Sequence, residues 1–103
     1  MKSLTLLEQY VLLAVFHLND TAYLKTIRNF VNEGTGKDLA IGTIYVPLER
    51  LYRLGFLSTN VGAPKPKVGG RSIKYYRLTG EGRKILEELK KIQDAMWLGF
   101  SRS

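Results

Sequence analysis

The chain has 103 residues and no cysteine, which fits one domain and excludes a disulfide framework and thiolate metal sites. Hydrophobic residues make up 45% and aromatic residues 11%, too much for a disordered chain, yet no stretch approaches the roughly 18 uninterrupted apolar residues needed to cross a membrane. The net charge is +7, and all of it falls between residues 50 and 80: seven bases (Arg50, Arg53, Lys65, Lys67, Arg71, Lys74 and Arg77) and no acid, against nine bases and nine acids in the rest.

Such a local excess is an electrostatic footprint for a polyanion. It is equally what a solvated loop kept for solubility looks like, and charge alone leaves both open. The start, Met1-Lys2-Ser3, runs into Glu8, Gln9 and His17 without a small-residue cleavage site, so no signal peptide is expected. The absence of cysteine fits a reducing, cytoplasmic setting.

The first predicted helix spans residues 4–18, opened by a Thr5-x-x-Glu8 capping box. Leu6, Leu7, Tyr10, Val11, Leu12, Leu13, Ala14, Val15, Phe16 and Leu18 make it apolar nearly all round. A helix of that kind is buried on more than one side, which points to a partner subunit. His17 is the only histidine; it reads as a helix-end residue near the C-terminal dipole, not a metal ligand. Asn19-Asp20-Thr21 is a turn. A second helix is predicted over 22–32, ended by Gly34 as the residue after its C-cap.

The third predicted helix covers 40–54. Ile41, Ile44, Leu48 and Leu51 form one apolar stripe, Gly42, Val46, Glu49, Arg50 and Arg53 occupy the opposite face, and Gly55 stops it. Residues 56–61 then read as a strand, 62–70 as a Gly/Pro/Lys-rich loop, and 72–78 as the returning strand, making a β-hairpin with a basic tip. Tyr75 and Tyr76 point to opposite faces of that strand, so one of them belongs to the core. Thr79 caps a last helix over 80–98, whose stripe Ile85, Leu89, Ile92 and Met96 is spaced like a coiled-coil seam, with Leu86 and Trp97 widening it. Glu87 and Lys91 are placed for an i, i+4 pair. Residues 99–103 are expected to fray.

Helix, helix, helix, strand, basic loop, strand, long helix is the order of a winged helix-turn-helix, an α+β and mostly α fold. Its third helix is the right size for a DNA major groove, and lysines at the hairpin tip can reach phosphates. Arg50 and Arg53 suit the backbone. Base reading would start around Gly42, Thr43 and Val46. No nucleophile-base set, phosphate loop or dinucleotide fingerprint is present, so a binding module without cofactor or metal is expected, not an enzyme.

Gly42-Thr43-Ile44-Tyr45, then Leu48, Leu51 and Gly55, then residues 69–79 (Gly-Gly-Arg-Ser-Ile-Lys-Tyr-Tyr-Arg-Leu-Thr) with Gly82 resemble the PadR family of transcriptional regulators, over about residues 4–90. The resemblance implies a homodimeric repressor in the short subgroup without a separate C-terminal domain. It implies one domain over 1–103, with a DNA-binding core at 4–78 and a dimerisation helix at 79–98. Contacts to double-stranded DNA are implied at Thr43, Tyr45, Gly70, Arg71 and Lys74, with Lys65 and Lys67 at the wing tip. Tyr10, Phe16, Leu89, Ile92, Met96, Trp97 and Phe100 would form the dimer seam. Some PadR-like proteins bind a planar aromatic effector at the dimer centre, which here would sit among Phe16, Trp97 and Phe100. Two positions depart from the family pattern. Val46 intervenes between the Tyr and Pro47, so a loosened first turn of the third helix is expected, and Thr21-Ala22-Tyr23 replaces the usual His-Gly-Tyr. The competing assignment is an adaptor whose basic wing meets an acidic protein.

Overall fold

The computed structural model describes residues 3–62 and 72–102. Helices α1 (Leu6–Leu18), α2 (Leu24–Thr35) and α3 (Ile41–Arg53) come first, followed by an antiparallel hairpin of β1 (Leu57–Val61) and β2 (Lys74–Leu78), and then α4 (Gly80–Trp97). Leu57 pairs with Leu78 and Val61 with Lys74, so the hairpin stays in register along both strands. This is the winged helix-turn-helix order read from the sequence.

The capping box forms as expected. The Thr5 hydroxyl accepts from the Glu8 N–H at 3.1 Å, and the Glu8 carboxylate accepts from the Thr5 N–H at 2.8 Å. Helix α1 therefore begins at Leu6, and Leu4 precedes the cap as a buried apolar residue. Helix α2 starts and ends later than predicted. It continues past its buried pair, Ile27 and Val31, and closes on Gly36, whose φ of +72° takes the left-handed cap expected at Gly34. Before α2, Tyr23 forms a single bridge with Tyr75, and the Tyr76 N–H donates to the Ala22 carbonyl at 2.9 Å. A one-residue third strand of this kind leaves no periodic trace in the sequence. The Asn32 side chain then spans the turn into α3, accepting from the Leu39 N–H at 2.9 Å and donating to the Leu39 carbonyl at 3.2 Å. That clamp sets the angle between the two helices of the helix-turn-helix.

One core holds the domain. Val11, Leu12, Ala14 and Val15 of α1 meet Ile27 and Val31 of α2, and Ile44, Leu48 and Leu51 of α3, all essentially inaccessible to solvent. Phe56, Leu57, Tyr76 and Ile85 close it from the hairpin and α4. Pro47 is buried on α3, and the helix is continuous through it. In its first turn the Thr43 N–H reaches the Ala40 carbonyl three residues back, at 3.0 Å, the tighter 3₁₀ pattern.

Helix α4 outruns the core. Ile85 is buried and Leu89 half-buried, whereas Ile92, Met96 and Trp97 lie exposed. Its surface pairs are Arg83–Glu87 at 3.8 Å, Lys84–Glu81 at 3.7 Å and Lys90–Asp94 at 2.7 Å, in place of the predicted Glu87–Lys91. After α4 the chain forms a 3₁₀ turn over Phe100–Arg102, with the Phe100 ring edge-on to Trp97 at 4.9 Å. No helix among the described residues is long and apolar enough to cross a membrane.

Candidate nucleic-acid interface

The outward row of α3 is built by the inward one. Because Ile44, Leu48 and Leu51 are locked in the core, Gly42, Thr43, Tyr45, Val46 and Arg53 must face away from it, and all five are exposed. Val46 is 66% exposed, so its methyl groups are open to a partner. Thr43 and Val46 offer methyl groups of the kind that contact thymine in a major groove, and Tyr45 and Thr43 offer hydroxyls for phosphate or base edges.

Space redistributes the charge excess of residues 50–80. Three of its bases are met by acids from elsewhere in the chain. Arg50 Nη1 lies 2.6 Å from Glu8 Oε1, Lys74 Nζ lies 3.3 Å from Glu49 Oε2, and Arg77 Nη1 lies 3.2 Å from Asp20 Oδ1. Arg50 and Lys74, both expected at the DNA-contacting surface, are thus ion-paired within the fold while their side chains stay 42% and 45% exposed. Arg53 makes no ion pair among the described residues. Lys65, Lys67, Gly70 and Arg71, the wing-tip positions, lie outside the described residues.

Glu8 is the most consequential of these acids. Its side chain is only 6% exposed. Burial works to raise its pKa, but the Thr5 N–H and the Arg50 guanidinium outweigh it and hold the carboxyl below its ordinary 4.5. Glu49 is also lowered, first by the Tyr76 hydroxyl that donates to it at 2.7 Å and then, against burial, by Lys74. Tyr76 is the core member of the tyrosine pair; burial first and the adjacent carboxylate second push its hydroxyl well above the usual phenol range. Both glutamates have folded pKa values below the unfolded ones, so their stabilisation is fully present above the unfolded value and is lost as pH falls through the folded ones. The thermal midpoint should therefore drop as pH falls below about 4.5, and Glu8→Gln should flatten that acid limb in circular-dichroism melts; an acid limb identical in the variant would contradict the assignment.

The seam residues divide between two elements. Tyr10 and Phe16 are exposed on α1, in one row with Leu6 and Leu13. Ile92, Met96, Trp97 and Phe100 are exposed at the far end of α4 and beyond it, and Leu89 is half-buried against the core. The two helices run antiparallel: the side chains of Gln93 and Gln9 meet at 3.2 Å, while Phe16 shares a groove with Arg83 and Leu78. That groove, about 370 Å³, is floored by Leu13, Leu86 and Leu89. Fourteen residues of helix, ~21 Å at 1.5 Å per residue, separate Arg83 from Trp97. Phe16 is thus not assembled with Trp97 and Phe100 within one chain, and a site holding all three rings would need a second copy to bring them together. His17 stacks on Phe30 at 5.1 Å. No cluster of three or more His, Cys, Asp or Glu suited to a metal occurs among the described residues.

A three-helix unit whose second and third helices are clamped by Asn32, followed by a β-hairpin wing and a long last helix, defines the winged helix-turn-helix class. No family model matches the sequence, and no curated protein matches it. Solved structures share its fold, among them the following two. A PadR family transcription regulator from Clostridium difficile has 23% identity and a TM-score of 0.69, with 95% of this chain and 93% of that one covered. A proposed transcriptional regulator from Thermoplasma acidophilum has 23% identity and a TM-score of 0.64, with 88% of each chain covered. At that identity the likeness establishes the fold: this chain is built as PadR-type winged helices are.

Proposed function

We propose that the protein is a sequence-specific DNA-binding transcriptional regulator that acts as a homodimer and represses by occupying a promoter. The single observation that carries this is the exposed Gly42–Thr43–Tyr45–Val46 face on a helix otherwise locked in the core, on a fold shared with transcription regulators. The core over 4–78 would hold α3 in the major groove. Arg53 and the wing's Lys65, Lys67 and Arg71 would meet phosphates, with Gly70 letting the wing backbone approach. Arg50 and Lys74 serve this interface as supports, since Glu8 and Glu49 hold them.

The test is a salt titration of binding to duplex DNA. Arg53→Ala should reduce the slope of log K against log salt by about one unit. Arg50→Ala, assayed where it is folded, should leave the slope nearly unchanged. Equal slopes for wild type and Arg53→Ala would remove Arg53 from the interface.

The dimer rests on the apolar row of α1 and the free end of α4 over residues 89–98. Leu6, Tyr10, Ile92, Met96, Trp97 and Phe100 are all exposed on or beside these two stretches, and an exposed apolar patch marks an interaction surface. Two copies packed there would place recognition helices one DNA turn apart, roughly 34–36 Å. Sedimentation equilibrium should give a dimer for the wild type, and Met96→Asp should shift it to monomer. A monomeric wild type at micromolar concentration would overturn the dimer.

A further inference from the structure

Glu49 stands alone as an acid in the outward row of α3, at i+3 from Val46 and i+7 from Gly42. A carboxylate there repels phosphate, so its presence on a face proposed to meet DNA needs a physical reason. Its surroundings supply one. Glu49 Oε2 accepts from the Tyr76 hydroxyl at 2.7 Å and lies 3.3 Å from Lys74 Nζ. Tyr76 is buried, so its hydroxyl fixes the carboxylate from the core side. The Lys74 ammonium also lies 5.4 Å from the Tyr76 ring centroid and 5.7 Å from that of Tyr52, within cation–π range of both. One lysine of the wing strand is thus held on the recognition helix by a carboxylate and two rings, although its side chain remains 45% exposed.

We propose that Glu49 is a specificity-determining residue: it masks Lys74 from polyanions, lowering sequence-independent affinity while tying the wing strand to the recognition helix. This rests on the DNA-binding assignment above. Non-specific binding is supplied by bases that neutralise phosphates, each steepening the salt dependence by about 0.9. A base cancelled inside the fold contributes none of it, so the row's discrimination by Thr43 and Val46 stands out against a weaker background. Tyr76 makes the mask rigid, because its hydroxyl keeps the carboxylate aimed at Lys74 whether or not DNA is present.

The experiment is a double-mutant cycle of wild type, Glu49→Gln, Lys74→Met and the double variant. Glutamine keeps the length and an acceptor for Tyr76 but removes the charge. Each protein is titrated with a duplex of arbitrary sequence from 0.05 to 0.3 M salt, and eluted from heparin, a polyanion without base sequence. Glu49→Gln should bind the arbitrary duplex about five- to tenfold tighter near 0.1 M salt, with a slope steeper by about 0.9, and should leave heparin at higher salt. Lys74→Met alone should change affinity less than twofold, and in the double variant should return both readouts to wild type. A merely structural Glu49 would shift melting without this slope change and its reversal by Lys74→Met. The mask is overturned if Glu49→Gln leaves both readouts unmoved, or if Lys74→Met weakens the wild type as much as it weakens Glu49→Gln. If no protein binds DNA while the cycle holds on heparin, the mask stands as a polyanion device and the regulator assignment falls; the two failures are thereby distinguished.

Discussion

Gly82→Ala is expected to destabilise the protein by about 2–3 kcal/mol, lowering the melting midpoint by roughly 10–20 °C. The sign is the informative part, since alanine inside a helix ordinarily gains up to about 1 kcal/mol over glycine. Gly82 lies in the first turn of α4, where a Cβ would stand 2.2 Å from the Phe56 carbonyl oxygen and 2.8 Å from Leu78 Cδ1. The oxygen cannot retreat cheaply. It accepts from the Thr79 N–H at 3.1 Å, and the Phe56 N–H is itself held by the Leu51 carbonyl at 3.0 Å. Around this contact Thr79 does two jobs, donating to the Gly55 carbonyl at 2.7 Å and accepting from the Gly82 N–H at 3.0 Å. An added methyl must push α4 off the end of α3, carrying the whole last helix with it. Gly80→Ala is the control, because nothing lies within 4 Å of a Cβ there; it should melt at or above the wild-type temperature. If Gly82→Ala melts like Gly80→Ala, the close docking of α4 is wrong.

Glu8→Ala is expected to cost roughly 2–4 kcal/mol. Removing one partner of a buried pair costs about 3–5 kcal/mol; the figure is reduced because Arg50 is 42% exposed on its side chain. Two losses combine. The Thr5 N–H loses its acceptor and the capping box of α1 opens. Arg50 loses its counter-charge, and with it the tie between α3 and the start of α1. Arg50→Ala leaves the buried carboxylate unneutralised and should destabilise comparably. The double variant should cost less than the two singles added, by about 1–3 kcal/mol, since both report one interaction. Strict additivity in denaturant titrations would mean that the two groups do not depend on each other.

Periodicity and capping chemistry make much of this fold legible in the amino-acid sequence. The Thr5–Glu8 box, the Ile44–Leu48–Leu51 stripe and the paired strands are local patterns, set by helical and strand repeat, and each recurs in the folded chain. The end of α2 falls beyond its expected place because two glycines offer the same cap, and helix propensity does not decide between Gly34 and Gly36. Charge is harder to read. An acid-free segment of sequence is not acid-free in space: Glu8 reaches Arg50 across 42 positions and Glu49 reaches Lys74 across 25. No spacing rule links residues so far apart, because only the packing of α1 on α3 and of β2 beside α3 brings them together. The one available signal is the isolation of Glu49 on an otherwise acid-free outward face. For the same reason Phe16 and Trp97 group naturally as rings on two apolar helices, while the antiparallel crossing of α1 and α4 sends them to opposite ends within one chain.

Charge committed to internal pairs changes what the interface is expected to do. With Arg50 and Lys74 held, the outward row of α3 carries little free charge beyond Arg53. Recognition would then depend on Thr43, Tyr45 and Val46 against base edges and thymine methyls, and attraction to phosphate would fall chiefly to the wing. A protein of this kind should discriminate between sequences more strongly than its pI of 9.8 suggests.

The most direct test is therefore a comparison of two duplexes at one salt concentration. A duplex enriched from a random pool by repeated binding to the wild-type protein is titrated beside a scrambled duplex of the same length and composition, at 0.15 M salt. The selected duplex should bind at least about 10³-fold more tightly, and Val46→Asp should abolish that advantage while leaving the melting temperature within a few degrees of wild type. Equal affinity for the two duplexes, or enrichment that yields no shared sequence, would contradict DNA-sequence recognition by this chain.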